Sequence, residues 1–440
     1  LGYLAGRVAD VADLLYTISN SGVSFTLRSI GTVDYTVDWG DGSDEETSTS
    51  NTLAHTYSSS GTYVVKINSN SGTYRPRFDQ SGDEDQITSV EVSVEDSSLF
   101  GTDIQNAFRG AQNMTKYNQV GAATSAVTNF TRTWQGCSGI TTFPLIDISS
   151  ATAFNATWAQ CSGFTEFPVL DFSNATNVSA AWVDCTGLTS FPTIDTSCVT
   201  IFTNTWNNCT GFTTFPQINT SSATTFDSAW RSCSGLTTFP QIDTSSVTNF
   251  NSTWRDCSSL ASFPLIDTSS GTSFVATWRN DSDLTTFPQI DTSSATTFQN
   301  TWMGCNFLNS FPTIDTSNAS NITGTWRSCA RIITFPSLDF SSGSNFERAW
   351  QNCTRMTTYP ANRFDTTGTL NSVAFRHAWL NCKLTAQSIE NILTSLDTNG
   401  AQNITLGISG GSNAAKSTWS TAANTAYTNL VNKGWTISYN

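Results

Sequence analysis

The stretch that decides the fold is Trp254-Arg255-Asp256-Cys257-Ser258-Ser259-Leu260-Ala261-Ser262-Phe263-Pro264-Leu265-Ile266-Asp267, because its pattern returns every 24 residues. Trp recurs at Trp134, Trp158, Trp182, Trp206, Trp230, Trp254, Trp278, Trp302, Trp326 and Trp350. Three residues later stand Cys137, Cys161, Cys185, Cys209, Cys233, Cys257, then Asp281 as the exception, then Cys305, Cys329 and Cys353. An apolar residue follows six after the Trp (Leu236, Leu260, Ile332), Phe-Pro nine after it, and then an Ile or Leu with an acid, as in Ile242-Asp243. A Thr-Ser-Ser turn and a Phe or Val four before the next Trp, as at Phe154, Val178 and Phe250, close the unit.

One such unit cannot bury a Trp, two Phe, a Leu, an Ile and a Cys alone, so coils must stack until a continuous core forms. Equivalent residues then run as ladders along one axis. The Leu-x-x-Phe stretch, rich in Thr and aromatics, is predicted to add one parallel strand per coil, ended by the Pro that lacks a backbone donor. The Asp-Thr-Ser-Ser segment suits an Asx or Ser/Thr turn, and Phe-x-x-x-Trp one helical turn. Terminal coils should be atypical. Phe108, Ala111, Met114 and Tyr117 repeat the offsets as an entry coil, and an insertion at 362–370 delays the last unit to Phe375, Trp379 and Cys382. Beyond it the pattern predicts helices at 386–396 and 414–432 and strands at 404–408 and 435–439.

The 440 residues carry 20 basic and 34 acidic side chains, a net charge of -14, which argues against nucleic acid and anionic membranes as partners. No stretch approaches the roughly 18 to 20 apolar residues of a transmembrane helix. Residues 1–22 lack the basic start and apolar core of a signal peptide, so the chain is expected to begin after processing or inside a larger product. Within them, Val8 to Leu15 has near-helical apolar spacing and predicts a short helix.

The offsets Trp254-x-x-Cys257-x-x-Leu260-x-x-Phe263 and the turn Asp243-Thr244-Ser245-Ser246-Val247-Thr248 resemble the BspA-like leucine-rich repeats of bacterial surface proteins, with Trp where that family usually has Phe. The resemblance covers about residues 104–383. It implies a curved solenoid, surface exposure, and adhesion or partner binding without catalysis. Val37-Asp38-Trp39-Gly40-Asp41-Gly42-Ser43, His55-Thr56-Tyr57 and Gly61-Thr62-Tyr63-Val64-Val65 resemble a PKD domain, an immunoglobulin-like sandwich of extracellular proteins. Its Asp-Gly turn and alternating strand fit a hairpin sheet. A strand at 87–92 is expected to feed the sheet of the coils.

The fold class is therefore mainly β with short helices: a linker or anchor segment at 1–20, a PKD-like β-sandwich at 21–80, a leucine-rich-repeat-like parallel solenoid at 81–383 and an α/β C-terminal cap at 384–440. Chemistry is sparse. The two histidines, His55 and His377, sit inside structural motifs, and no phosphate loop, nucleophile elbow or metal-binding His pair is present. No cofactor is expected. Stacked cysteines with parallel Cβ vectors suit buried free thiols better than disulfides. Asp38 and Asp41, and the ladder from Asp147 to Asp339, are calcium candidates, against which stands capping of the next turn's amides. The Trp ladder suits core packing better than a sugar platform. Thr213, Thr214, Thr237 and Thr238 mark an interaction face. The sequence thus points to a non-enzymatic extracellular protein, structural or adhesive, whose partners are other proteins, copies of itself or glycans on a cell or particle surface. A phage virion component, such as a tail fibre or capsid decoration, is the alternative, and a carbohydrate-binding module the second.

Overall fold

The computed structural model describes residues 12–31, 33–78, 82–93 and 99–440. Its contacts divide the chain into two units, Leu1–Val199 and Thr200–Asn440. Val8 to Val11 of the expected helix lie outside the described residues.

The first unit opens with nine strands: β1 (Leu14–Ser21), β2 (Ser24–Ile30), β3 (Val33–Asp38), β4 (Glu46–Ser48), β5 (Thr52–Thr56), β6 (Ser60–Gly72), β7 (Arg75–Pro76), β8 (Ile87–Ser93) and β9 (Lys116–Val120). One sheet runs β4-β3-β6-β1-β8-β9 and a second β5-β2-β7. Part of the segment expected as a linker is thus an interior strand. Leu14, Tyr16 and Ile18 are fully buried and alternate with more exposed neighbours, and this period of two prevails over the helical spacing upstream. With Phe25, Leu27, Val37, Val65 and Ile67, none more than 1% exposed, they form the core between the two sheets. Strand β8 pairs antiparallel with β1 and parallel with β9, setting Val90 opposite Tyr117 of the entry coil. The six-stranded sheet therefore crosses residue 80 and passes into the first coil without a break.

In both units the coils stack ring on ring. Trp134 to Trp158 and Trp158 to Trp182 stand 5.9 and 5.4 Å apart in the first. In the second, Trp230, Trp254, Trp278 and Trp302 follow at 5.9, 5.7 and 5.6 Å, within 8° of parallel. Each Trp also meets edges of Phe: Trp254 lies 4.7 Å from Phe263 and 5.3 Å from Phe239, at 71° and 78°. Offset stacks and T-shaped contacts are the two arrangements that ring quadrupoles favour.

Beyond β9 of the entry coil, the expected strand at Leu-x-x-Phe does not form among the described residues. Isolated parallel bridges stand there instead, Ser262 to Thr286 and Thr334 to Thr358. A longer series stands five residues before each Trp, from Ile201 through Thr225, Asn249, Ser273, Thr297 and Asn321 to Asn345. The cause is a backbone that turns left-handed two residues before and two after the Trp: Ser252 (φ 53°) and Asp256 (φ 64°), Ala276 (φ 56°) and Asn280 (φ 64°). Alternate amides then point along the stack. The N–H groups of Phe250, Ser252, Trp254 and Asp256 donate to the carbonyls of Ser273, Val275, Thr277 and Arg279 in the next coil. The intervening ones close turns, Thr253 to Phe250, Arg255 to Ser252 and Cys257 to Trp254. Turns, neither strand nor helix, carry the ladder.

The second unit ends in α1 (Ala386–Asn399), β10 (Thr405–Gly407), α2 (Thr421–Asn432) and β11 (Thr436–Ser438), with β10 and β11 parallel. Thr385 and Ser420 cap the helices by accepting from the amides of Ser388 and Ala423, and Gly400 at φ 80° ends α1. The bridge from Phe375 to Leu406, with Trp379 N–H donating to Gly407 O, seats this cap on the last Trp coil.

Trp254→Ala empties a position in contact with two rings above and below and two at the side. It should cost roughly 3–5 kcal/mol, read as a lowered urea midpoint. Leu265→Ser, at a site 57% exposed, should leave that midpoint within about 0.5 kcal/mol.

Candidate interaction surfaces

Because Trp, Phe, Leu and Ile point inward, the outward positions are short and polar. Thr213, Thr214, Thr237 and Thr238 are all exposed. The Thr237 hydroxyl donates to Thr213 O at 3.1 Å, and Thr285 repeats this to Ala261 O at 3.2 Å. Tied to the coil before, such side chains present an ordered face with little rotamer freedom left to lose.

The carboxylate ladder is engaged internally. Asp243 Oδ1 accepts from the Ser245 amide at 3.0 Å and the Ser245 hydroxyl at 2.7 Å, and Asp267, Asp291 and Asp315 do the same with Ser269, Ser293 and Ser317. These bonds hold the Asp243 and Asp291 carboxyls below the usual range. The four aspartates are exposed. Buried threonines next in sequence bind the coils together: Thr268 donates to Asp291 O at 2.5 Å and Thr292 to Asp315 O at 2.6 Å.

Asp38 and Asp41 do not converge on an open cradle. Asp38 accepts from the Gly40 amide at 2.8 Å and from Lys66 Nζ at 3.0 Å. Asp41 accepts from the Ser43 amide and hydroxyl and lies 2.8 Å from His55 Nε2. The Ser43 hydroxyl, then His55, holds the Asp41 carboxyl far below the usual range. Trp39 stacks on His55 at 4.7 Å, so the loop is one closed polar cluster. His377 stands elsewhere, in the left-handed position two before Trp379. Among the described residues, no three His, Cys, Asp or Glu gather as a metal site.

The ladder cysteines are buried, while Cys198 is exposed. The thiols point at the aromatic residue's carbonyl one coil back: Cys137 to Phe108 at 3.2 Å, and Cys161 to Trp134, Cys257 to Trp230 and Cys305 to Trp278, all at 3.1 Å. Burial pushes the Cys233 and Cys353 thiols up to about 12, far from the thiolate range that makes a cysteine reactive. The tryptophans are 0% exposed, which closes them to a sugar ring.

Two features lay beyond the sequence reading. The first is an arginine ladder in the second unit, Arg231, Arg255, Arg279 and Arg327, each directly after its Trp; the repeated Trp-Arg pair was the available signal. Arg255 Nε binds Asp256 Oδ2 at 3.1 Å, whereas the buried Nε atoms of Arg231, Arg279 and Arg327 find no acceptor. Burial, and then neighbouring Arg255, lowers the Arg279 pKa. The second is Asp281 in the cysteine slot. It is 0% exposed; Oδ1 accepts from the Cys257 amide at 2.9 Å, and Oδ2 has no partner. Burial raises its carboxyl well above the usual range, with Asp256 adding to the effect.

The chain is similar to a leucine rich cell surface protein from Faecalibacterium prausnitzii A2-165, with a TM-score of 0.42 and 17% identity over 66% of this chain and 83% of that one. It is also similar to a leucine-rich repeat protein from Eubacterium ventriosum ATCC 27560, with a TM-score of 0.39 and 14% identity over 77% and 91%. No family model matches the chain, and no curated protein does.

A carboxyl whose folded pKa lies above its unfolded value near 4 stabilises the fold fully only below that value. Its contribution is lost as pH rises toward the folded pKa. Asp281→Cys should therefore raise the melting temperature at pH 7, with a gain that shrinks steadily as pH is lowered toward 4. Calorimetry of both chains across that range checks it; a gain independent of pH would refute the neutral carboxyl.

Proposed function

We propose that the chain is a non-enzymatic, extracellular surface protein of structural or adhesive kind: a PKD-like β-sandwich followed by a leucine-rich-repeat-like solenoid that presents a regular face to protein partners. One observation carries this reading. The bulky and reactive side chains point inward, as at the buried Trp and Cys ladders, while outward positions repeat as short hydroxylated residues such as Thr213, Thr214, Thr237 and Thr238. An uncharged polar face of fixed geometry suits association through many small contacts, in which each added coil extends the same surface.

Immunogold electron microscopy of the native source with antibody against the purified chain should label the outer surface of a cell or of a virion. A virion label would assign the chain to a particle component, and label confined to the cell interior would overturn the surface reading.

No cofactor enters this function. Calcium at Asp38 and Asp41 is disfavoured because Gly40, Lys66, Ser43 and His55 already occupy their oxygens. The melting temperature should therefore be the same, within a degree or so, in ~2 mM calcium and in excess chelator; a chelator-induced drop of roughly 5 °C would assign an ion to the loop.

A further inference from the structure

Two charged positions recur along the coils of the second unit. Arg231, Arg255, Arg279 and Arg327 each follow a Trp; Asp243, Asp267, Asp291 and Asp339 stand in the same four coils, each 12 residues further on. Half of a 24-residue coil separates the two sets, which places the ladders at different positions around the stack. Their electrostatic surroundings agree. Arg279 feels Arg255, Asp256, Arg327 and Arg231 and no ladder aspartate, and Asp243 and Asp291 feel only their own turn's serine and burial.

Each edge is incomplete within one chain. Arg231, Arg255 and Arg279 stand one coil from one another, the step at which Trp254 and Trp278 rings lie 5.7 Å apart, and Arg327 stands two coils further on; Asp256 is the close counter-charge of Arg255. The aspartates use Oδ1 internally and belong to exposed residues. Both ladders advance by the same step because both belong to the same stack. A second copy laid alongside in parallel would therefore meet every arginine with an aspartate in register. The coil without an arginine, which has Met303 at that place, meets the unmatched Asp315.

We infer that copies of this chain associate side by side, the arginine edge of one on the aspartate edge of the next. The inference rests on the reading of the chain as an interaction protein and names its partner as itself. Such a contact is heterologous: each copy keeps one free edge of each sign, so association continues into an open row. Matched ladders set register and orientation more than raw affinity, and the contact weakens with salt.

The test uses two full-length variants whose substitutions the chain itself tolerates. R231Q/R255Q/R279Q/R327Q places glutamine where Gln135 and Gln351 stand in other coils. D243N/D267N/D291N/D339N places asparagine where Asn219 keeps the same turn by accepting from Ser221 at 3.1 Å. Sedimentation velocity of the wild type should show weight-average mass rising with concentration at ~20 mM salt and falling to the monomer at ~500 mM. Each variant alone, with an unchanged melting temperature, should associate at least tenfold more weakly. Mixed, the two variants should form a heterodimer that stops at two, because one intact edge of each sign remains.

A monomeric wild type at every salt concentration, or association untouched by both variants, overturns the inference. So does retention of the monomer by soluble polygalacturonate that is lost in the arginine variant, which would give the edge to a linear polyanion. Surface labelling by immunogold together with any of these results would leave the surface reading standing and remove self-association alone.

Discussion

The constraint on which the rest depends is the stacking of one indole on the next. Within the second unit the rings from Trp206 to Trp350 keep 5.2 to 6.1 Å between centroids and stay within 15° of parallel. These distances exceed the roughly 4.8 Å between hydrogen-bonded backbones because the rings are slipped sideways, the arrangement that avoids like quadrupole faces. Each ring needs the next coil in place, so no coil completes its core alone. The requirement ends where the cap begins, with Trp350 on Trp379 at 4.8 Å and Trp435 beside Phe375 at 6.3 Å.

Bringing coils this close obliges each backbone amide to find a partner within the stack. Around the Trp the chain meets this with left-handed residues, at a cost of about 1–2 kcal/mol for each that is not glycine. Ala156, Ala180 and Ala276 adopt the conformation without the side-chain help that Asn or Asp brings, so tertiary hydrogen bonding overrides local preference. The opposite side of the coil is different. Proline after Phe263 and Phe287 removes donors, and cohesion passes to Phe-on-Phe stacking, 6.1 Å between those two rings, and to threonine hydroxyls reaching the next coil's carbonyl. Backbone bonds are dense on the Trp side of the stack and sparser on the Phe-Pro side, where bonds such as Thr285 N–H to Ala261 O are joined by side-chain contacts.

This division explains what could be read from the chain beforehand. Period, inward ladders, entry coil and cap follow from where large apolar residues recur, and burial of such residues is a property that composition at a position nearly determines. Turn against strand was not legible from Leu-x-x-Phe, because Thr and Phe favour extended backbone in isolation while the geometry is set one coil away. The telling residues lay on either side of the Trp, in pairs such as Asn204 with Asn208, a type enriched at positive φ, although Ser228 and Ser232 take the same conformation without that preference. The start of the sandwich was hidden for a related reason. Leu14, Tyr16 and Ile18 have their pairing partners at Ile67, Val65 and Tyr63 on one side and Val92, Val90 and Ile87 on the other, too distant in sequence for a local period to reveal. The arginine edge was visible as a repeated Trp-Arg pair, but its meaning depends on the aspartates half a coil away.

The cysteine slot shows how narrow the remaining freedom is. It lies beneath a Trp carbonyl that already accepts the amide of its own coil, as Trp230 O accepts from Cys233 N at 3.2 Å, and the thiol of Cys257 joins it from the next coil at 3.1 Å. A thiol suits this place because it is small, nearly apolar and only a weak donor, so little is lost when its second bond is imperfect. Alanine occupies this slot only in the entry coil, as Ala111 beside Phe108, where no indole stands. Asp281 fills the volume but reverses the polarity: its Oδ1 draws the Cys257 amide, and Oδ2 is enclosed without a donor. An ionised carboxylate there would lack any nearby cation to offset its desolvation, since burial dominates its environment and the neighbouring charge, Asp256, is of like sign. Burial therefore favours the protonated form in this slot, where the other Trp coils hold a thiol.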